Sequence, residues 1–270
     1  MNINFKCGYY YGGKLIEISA DLNVNPEYYI ELKKLLKICR LADYPLIRIG
    51  EQHKDGGYIM ANDFKPDGIA YSFGINDDIS WDLNMSRYDY QVYMYDHTIT
   101  KLPQTNEHFH YFHEGISGTD EVSQPLKTLK YFINKNGHNK TKNMILKMDV
   151  EGAEWDSLET VDTKTLKQFD QIVLEMHNLV RPSCAASALK LLKKLNKTHQ
   201  LIHLHGNNSG YLLTVGDTVF PDVLEASYVN KDTYYTFDDE LVILPSPLDV
   251  PNDMGRPDVI LGLWNAPVTF

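Results

Sequence analysis

The stretch Met144-Ile145-Leu146-Lys147-Met148-Asp149-Val150-Glu151-Gly152-Ala153-Glu154-Trp155 leaves this chain few folds to choose from. Its apolar start reads as a buried strand, its acids end the strand, and Gly152 turns the backbone into a helix. In an open α/β sheet, ligands bind in the crevice outside the carboxyl ends of such strands. Asp149 and Glu151 are therefore expected to face a ligand rather than to decorate the surface.

The same rhythm recurs along the chain. Short apolar runs at Ile69 to Phe73, Gln91 to Tyr95, Phe109 to Phe112, Met144 to Met148 and Ile172 to Leu174 alternate with helical or polar stretches. That alternation forms βαβ units and hence a mostly parallel sheet. Further strands are expected at Leu201 to Leu204, Tyr211 to Val215, Val223 to Tyr228 and Leu241 to Leu244, added antiparallel, and the proline-rich 245–257 reads as irregular chain. Ahead of the sheet, Asn25-Pro26 reads as an N-cap and a first-turn proline opening a helix to about Arg40, and Asp55-Gly56-Gly57 marks a turn that makes a hairpin or a lid. Ser183 is expected to cap a helix carrying Leu189, Leu192 and Leu195. The expected fold is α/β, Rossmann-like and doubly wound. Residues 1–68 form its N-terminal helical and hairpin extension, and residues 69–270 its body with the antiparallel C-terminal strands, in one structural unit.

With 270 residues, 43% of them hydrophobic, the chain can bury a full core. A formal charge of −10 argues against a nucleic-acid partner, which would need a basic face. Cys7, Cys39 and Cys184 are few, odd in number and far apart, as suits free thiols in a reducing compartment. Met1 to Lys6 has no apolar leader, and no run approaches the ~18 apolar residues of a membrane span. A cytoplasmic protein without a membrane span is expected, with self-association left open.

The strand ends carry the chemistry. The first strand runs into Gly74-Ile75-Asn76-Asp77-Asp78, whose single glycine disfavours NAD or FAD and suits the methionine end of S-adenosylmethionine. Asp96 ends the second strand about 20 residues further on, where an acid takes the hydroxyls of a ribose. After the third strand, Glu114-Gly115-Ile116 offers a slot for adenine. Asp149, Glu175 and His177 end neighbouring strands and together would hold Mg²⁺ or Mn²⁺. His205 reads as a general base, with Glu151 and Glu225 as competitors.

These blocks, Ser72-Phe73-Gly74-Ile75, Tyr95-Asp96-His97-Thr98, Leu146 to Glu154 and Leu174-Glu175-Met176-His177, resemble the FkbM-like group of S-adenosylmethionine-dependent methyltransferases. Asp55-Gly56-Gly57-Tyr58 and His203 to Asn208 resemble features of its bacterial capsular-sugar members. The resemblance implies O-methylation of a sugar hydroxyl, on a nucleotide-linked sugar destined for a capsular or surface polysaccharide. It implies cofactor contacts from Gly57, Tyr58, Ser72, Gly74, Asp96, His97, Glu114, Gly115, Ile116 and Asp149. Read without the resemblance, the residues also allow a metal-dependent hydrolase built on Asp149, Glu175 and His177, or a non-enzymatic carbohydrate-binding module.

Overall fold

The computed structural model describes residues 5–11, 14–18, 25–120, 125–238 and 241–269. Of the opening read for a leader, Met1 to Asn4 lie outside the described residues. At the centre is a seven-stranded sheet, composed of β1 (Ile69–Phe73), β2 (Gln91–Tyr95), β3 (Phe109–Phe112), β4 (Met144–Met148), β5 (Phe169–Met176), β6 (His199–Gly206) and β7 (Leu224–Asn230). The spatial order is β3-β2-β1-β4-β5-β7-β6. Strands β1 to β5 pair in parallel, and β7 runs antiparallel to both β5 and β6.

Every residue of β4 and β5 is buried. Strands covered on both faces lose the polar alternation of a half-exposed sheet, which is why they read as near-continuous apolar runs. Alternate residues still feed two separate cores. Tyr71, Phe73, Met144, Leu146, Met148, Ile172 and Leu174 pack with residues of α1 (Pro26–Leu35), α3 (Leu129–Lys135), α4 (Glu154–Glu159) and α5 (Ala185–Thr198). Ala70, Val92, Met94, Ile145 and Val173 pack instead with Trp81 and Met85 of α2 (Ser80–Arg87) and with Ile49, Tyr58 and Met60 of an antiparallel hairpin, Leu46–Gly50 with Gly57–Ala61.

Several boundaries differ from the sequence reading. Asn25 does cap α1, its side chain accepting from the Glu27 N–H at 3.0 Å, but the helix stops at Leu35. Cys39–Leu41 is a strand paired with Thr236–Asp238, a tertiary partner that local periodicity could not reveal. In the tail, β6 and β7 join the central sheet, and β6 runs parallel to β5. Leu212–Val215 belongs to a separate four-stranded sheet, and Ile243–Leu244 pairs with Gly262–Leu263 in a two-stranded one. Ser183 lies in a short 3₁₀ turn, and Cys184 takes the N-cap position of α5 without a side-chain cap bond. Among the described residues no helix is long and apolar enough to cross a membrane.

One buried group is held at a cost. Asp82 of α2 is fully enclosed, and neither carboxylate oxygen has a hydrogen-bond partner among the described residues. Burial raises its pKa to about 6, against the partial relief given by the Lys147 charge. An acid raised in the folded state destabilises the fold only where it is ionised: the cost is absent below its ordinary value of 3.8, grows from there to about 6, and is complete above. Asp82→Asn should therefore raise the melting temperature at pH 8, by roughly 1–3 kcal/mol of stability, and change it little at pH 4. Equal effects at both pH values in thermal melts would show that the carboxylate is not the source.

Candidate active site

The sheet reverses its winding between β1 and β4, so the chain leaves these adjacent strands in different directions and a crevice opens at their carboxyl ends. Gly74 sits at its lip with φ of +79°. Its N–H donates to the Tyr95 carbonyl at 3.1 Å, and the Asp149 N–H donates to the Phe73 carbonyl at 3.0 Å. The Lys147 ammonium donates to the Gly74 carbonyl at 2.8 Å, which accounts for a lysine within an otherwise apolar strand. A methyl group on Gly74 would stand 1.5 Å from the Asp149 carbonyl oxygen. Only glycine lets the two backbones meet so closely.

The cleft over this point has a volume of about 740 Å³. Of the residues expected to hold a cofactor, Tyr58, Gly74, Asp96, His97, Gly115, Ile116 and Asp149 line it; Gly57, Ser72 and Glu114 do not. Ser72 is completely buried, on the face of β1 turned away from Tyr71 and Phe73. Glu114 accepts from Lys135. Gly115 packs against His97, whose Nδ1 would lie 2.4 Å from an added Cβ.

Asp96 is more heavily engaged than the sequence suggests. Oδ2 accepts from the Ile75 and Asn76 N–H groups at 2.8 and 2.9 Å, and Oδ1 from the Thr98 N–H and hydroxyl at 2.7 and 2.6 Å. Burial opposes its charge, but these donors, led by Asn76, hold the carboxyl below its ordinary range. With four donors in place, its first job is to fix the Gly74 loop, and a ribose would share or replace the Thr98 hydroxyl.

On the other side of Asp149 the cleft wall is acidic. The buried Tyr58 hydroxyl donates to Asp149 Oδ2 at 3.3 Å. Burial, and then the charges of Asp149, Glu175, Glu225 and Asp55, raise the tyrosine pKa well above its usual value, so it remains a donor. Glu175 is raised as well, by burial and then by Asp149, Glu225 and Asp55. The Asn207 amide donates to its Oε1 at 2.6 Å. Asp149 thus stands beside a carboxyl that favours its protonated form, a pairing suited to moving one proton.

The metal set expected from the strand ends is divided. Asp149 and His177 do converge, but with Glu151, one ligand atom from each lying within 4.8 Å of the others; Glu175 groups with Asp55 and Glu225. Glu151 reaches His177 from a left-handed turn with φ of +55°, its side chain 88% exposed. Glu154, fully buried, accepts from the Val150 and Gly152 N–H groups at 2.8 and 3.0 Å and bonds His177 Nδ1 at 3.1 Å. Burial works against the imidazolium, yet Glu154, with Asp149 and Glu151, raises His177 to about 9.

His205 is not placed to act as a base. Its ring nitrogens bond Glu225 Oε2 and Asp258 Oδ1, each at 3.0 Å, and it does not line the cleft. Burial is again outweighed, here by those two hydrogen bonds, and its pKa rises to about 10. A histidine protonated on both nitrogens has no lone pair to receive a proton. Asn207, read in the sequence only as a turn amide suited to sugar hydroxyls, is a partner of Glu175, and Glu154 and Asn252 were missed at the sequence level. Glu154 alone left a signal there, a second acid in the block that holds Asp149.

The sequence matches the Methyltransferase FkbM domain family over residues 17–201, more than half the chain. The chain belongs to the FkbM methyltransferase family. No curated protein matches it. Among solved structures, this FkbM chain is similar to one from Streptococcus thermophilus described as a hemolysin, at 12% identity and a TM-score of 0.36, over 81% of this chain and 71% of the other.

Proposed function

We propose that this FkbM methyltransferase is a Rossmann-like, S-adenosylmethionine-dependent O-methyltransferase. Its acceptor is a sugar hydroxyl, on a nucleotide-linked sugar made in the cytoplasm for a capsular or surface polysaccharide. The observation that carries this reading is the contact of Gly74 with the Asp149 backbone, which joins two sides of one crevice, the Gly74 loop held by Asp96 and the acidic wall of Asp149 and Glu175. Family membership and the 3-2-1-4-5 order of the parallel strands support it.

S-adenosylmethionine supplies an electrophilic methyl group on sulfur. The chain supplies position and a proton acceptor. With Asp96 holding the Gly74 loop, Gly115 and Ile116 would line an adenine slot, and Asp149 would face the acceptor. The chain would hold the acceptor hydroxyl beside Asp149 and the methyl donor over the Gly74 loop, and most of the rate enhancement would come from that alignment. Asp149, hydrogen-bonded by Tyr58 and backed by Glu175, takes the hydroxyl proton.

A Mg²⁺ or Mn²⁺ ion fits Asp149, Glu151 and His177, because the Glu154 carboxylate behind His177 Nδ1 is the partner that orients a ligating imidazole. When bound, it would polarise the acceptor oxygen.

Calorimetric titration of S-adenosylhomocysteine, with and without a chelator, tests the cofactor. Micromolar binding is expected, weakened roughly tenfold or more by Asp96→Ala. No binding in either condition would overturn the reading in favour of the hydrolase or the carbohydrate-binding module.

A further inference from the structure

The Lys147 ammonium is placed against the logic of a stable interior. Lys147 is only 5% exposed, and two buried oxygen-bearing groups accompany it. One is Asp82 of α2, whose charge Lys147 relieves and whose carboxylate oxygens are both without a hydrogen bond among the described residues. The other is Ser72, the register partner of Lys147 on β1, fully buried with its hydroxyl unpartnered. The ammonium bonds neither. It reaches instead to the Gly74 carbonyl, 2.8 Å away at the lip of the cleft, and Lys147 lines that cleft. An ammonium has three N–H donors, and among the described residues the Gly74 carbonyl is the one acceptor bonded to this one. Spare donors on a buried charge are costly unless something takes them.

We propose that the free donors of Lys147 bind a carboxylate, the one on the amino-acid end of the cofactor, an inference that rests on the methyltransferase reading. Two lysines and no arginine line the cleft among the described residues. Lys54 is exposed on the hairpin loop, next to Asp55 on the acidic side. Lys147 lies under the Gly74 loop, on which the methionine end of the cofactor would rest. That end carries one ammonium and one carboxylate. Asp77 and Asp78, which follow Gly74 and line the same cleft, have the sign for the ammonium, and Lys147 has the sign for the carboxylate. A hydrogen bond between two ionised groups is among the strongest a side chain can offer. Asp82 gains a role by the same argument. It balances the buried ammonium without taking up its donors, which accounts for a carboxylate kept in the interior at a cost in stability.

Calorimetry with two nucleosides separates this role from the hold that the same lysine has on the Gly74 loop. S-adenosylhomocysteine carries the amino-acid end, and 5′-methylthioadenosine lacks it. Lys147→Met should lower the preference for S-adenosylhomocysteine over 5′-methylthioadenosine roughly tenfold or more. Wild type should bind the carboxamide of S-adenosylhomocysteine weaker than the parent by a similar factor, roughly tenfold. Circular dichroism identifies a variant that fails to fold. Lys147→Gln, which keeps an N–H for the Gly74 carbonyl and loses the charge, then carries the comparison, and the carboxamide result needs no variant at all. Equal losses for the two nucleosides would reduce Lys147 to a support of the Gly74 loop and overturn the proposal. Unchanged affinity for S-adenosylhomocysteine in the variant, the result expected if the ammonium serves an anion on the acceptor, would overturn it too, as would equal affinity of wild type for the acid and its carboxamide. Failure of wild type to bind either nucleoside would instead take down the methyltransferase reading, and this proposal with it.

Discussion

Asp149→Asn is expected to lower kcat by a factor of about 10³ while S-adenosylhomocysteine affinity changes by no more than about threefold. The substitution keeps the shape of the side chain and an oxygen for the Tyr58 hydroxyl, which lies 3.3 Å from Asp149 Oδ2. The Asp149 backbone contacts with β1 are untouched. What is lost is the negative charge and with it the capacity to take a proton, while Glu175, raised by burial and by the charges around it, cannot substitute because it already favours the protonated form. General-base removal is worth about 10² to 10⁴ in rate, which sets the size of the effect. Steady-state kinetics with the methyl acceptor, alongside calorimetry, separate the two parameters. Intact turnover with cofactor binding lost would move Asp149 from the chemistry to the cofactor pocket and sink the assignment.

The sequence reading succeeded where local pattern and tertiary environment agree. The central strands, Met144–Met148 and Phe169–Met176 above all, are rich in apolar residues because both faces are covered, and the acids Asp149 and Glu175 at their ends lie at the crevice. It failed where the partner is distant in the chain. Nothing near Cys39 announces Thr236–Asp238 as its neighbour, so the end of α1 was extended through a strand. The metal set was misjudged for a related reason. Glu175 and His177 share a strand face, but His177 lies just beyond the end of β5, where Glu154 draws the imidazole toward Glu151, and Glu175 turns to Asn207. His205 was chosen for its residue type, and a histidine's usual pKa says nothing of two carboxylates brought from β7 and from the tail. Asn252 lies in a proline-rich stretch with no periodicity, so its place beside Asp55 is visible only in three dimensions.

Gly74→Ala should destabilise the fold by more than about 4 kcal/mol, lowering the melting temperature by about 10 °C or more, and should abolish S-adenosylhomocysteine binding. Gly137→Ala separates the two causes that act at Gly74. Gly137 has a φ of +77°, close to the +79° of Gly74, but nothing lies within 4 Å of the Cβ it would gain. Its replacement should cost only the left-handed backbone strain, roughly 1–2 kcal/mol. At Gly74 the added methyl meets the Asp149 carbonyl at 1.5 Å, and that obstacle is backbone, which no side-chain rotation can relieve. The two strand ends must part, which breaks the Asp149-to-Phe73 and Gly74-to-Tyr95 hydrogen bonds and frees the Lys147 ammonium from the Gly74 carbonyl. The loop that Asp96 secures through Ile75 and Asn76 moves with them, so the cofactor side of the cleft is lost with the stability. Equal melting temperatures for the two variants would show that the backbones can separate cheaply, and the crevice would then not be the rigid point on which methyl transfer is aligned.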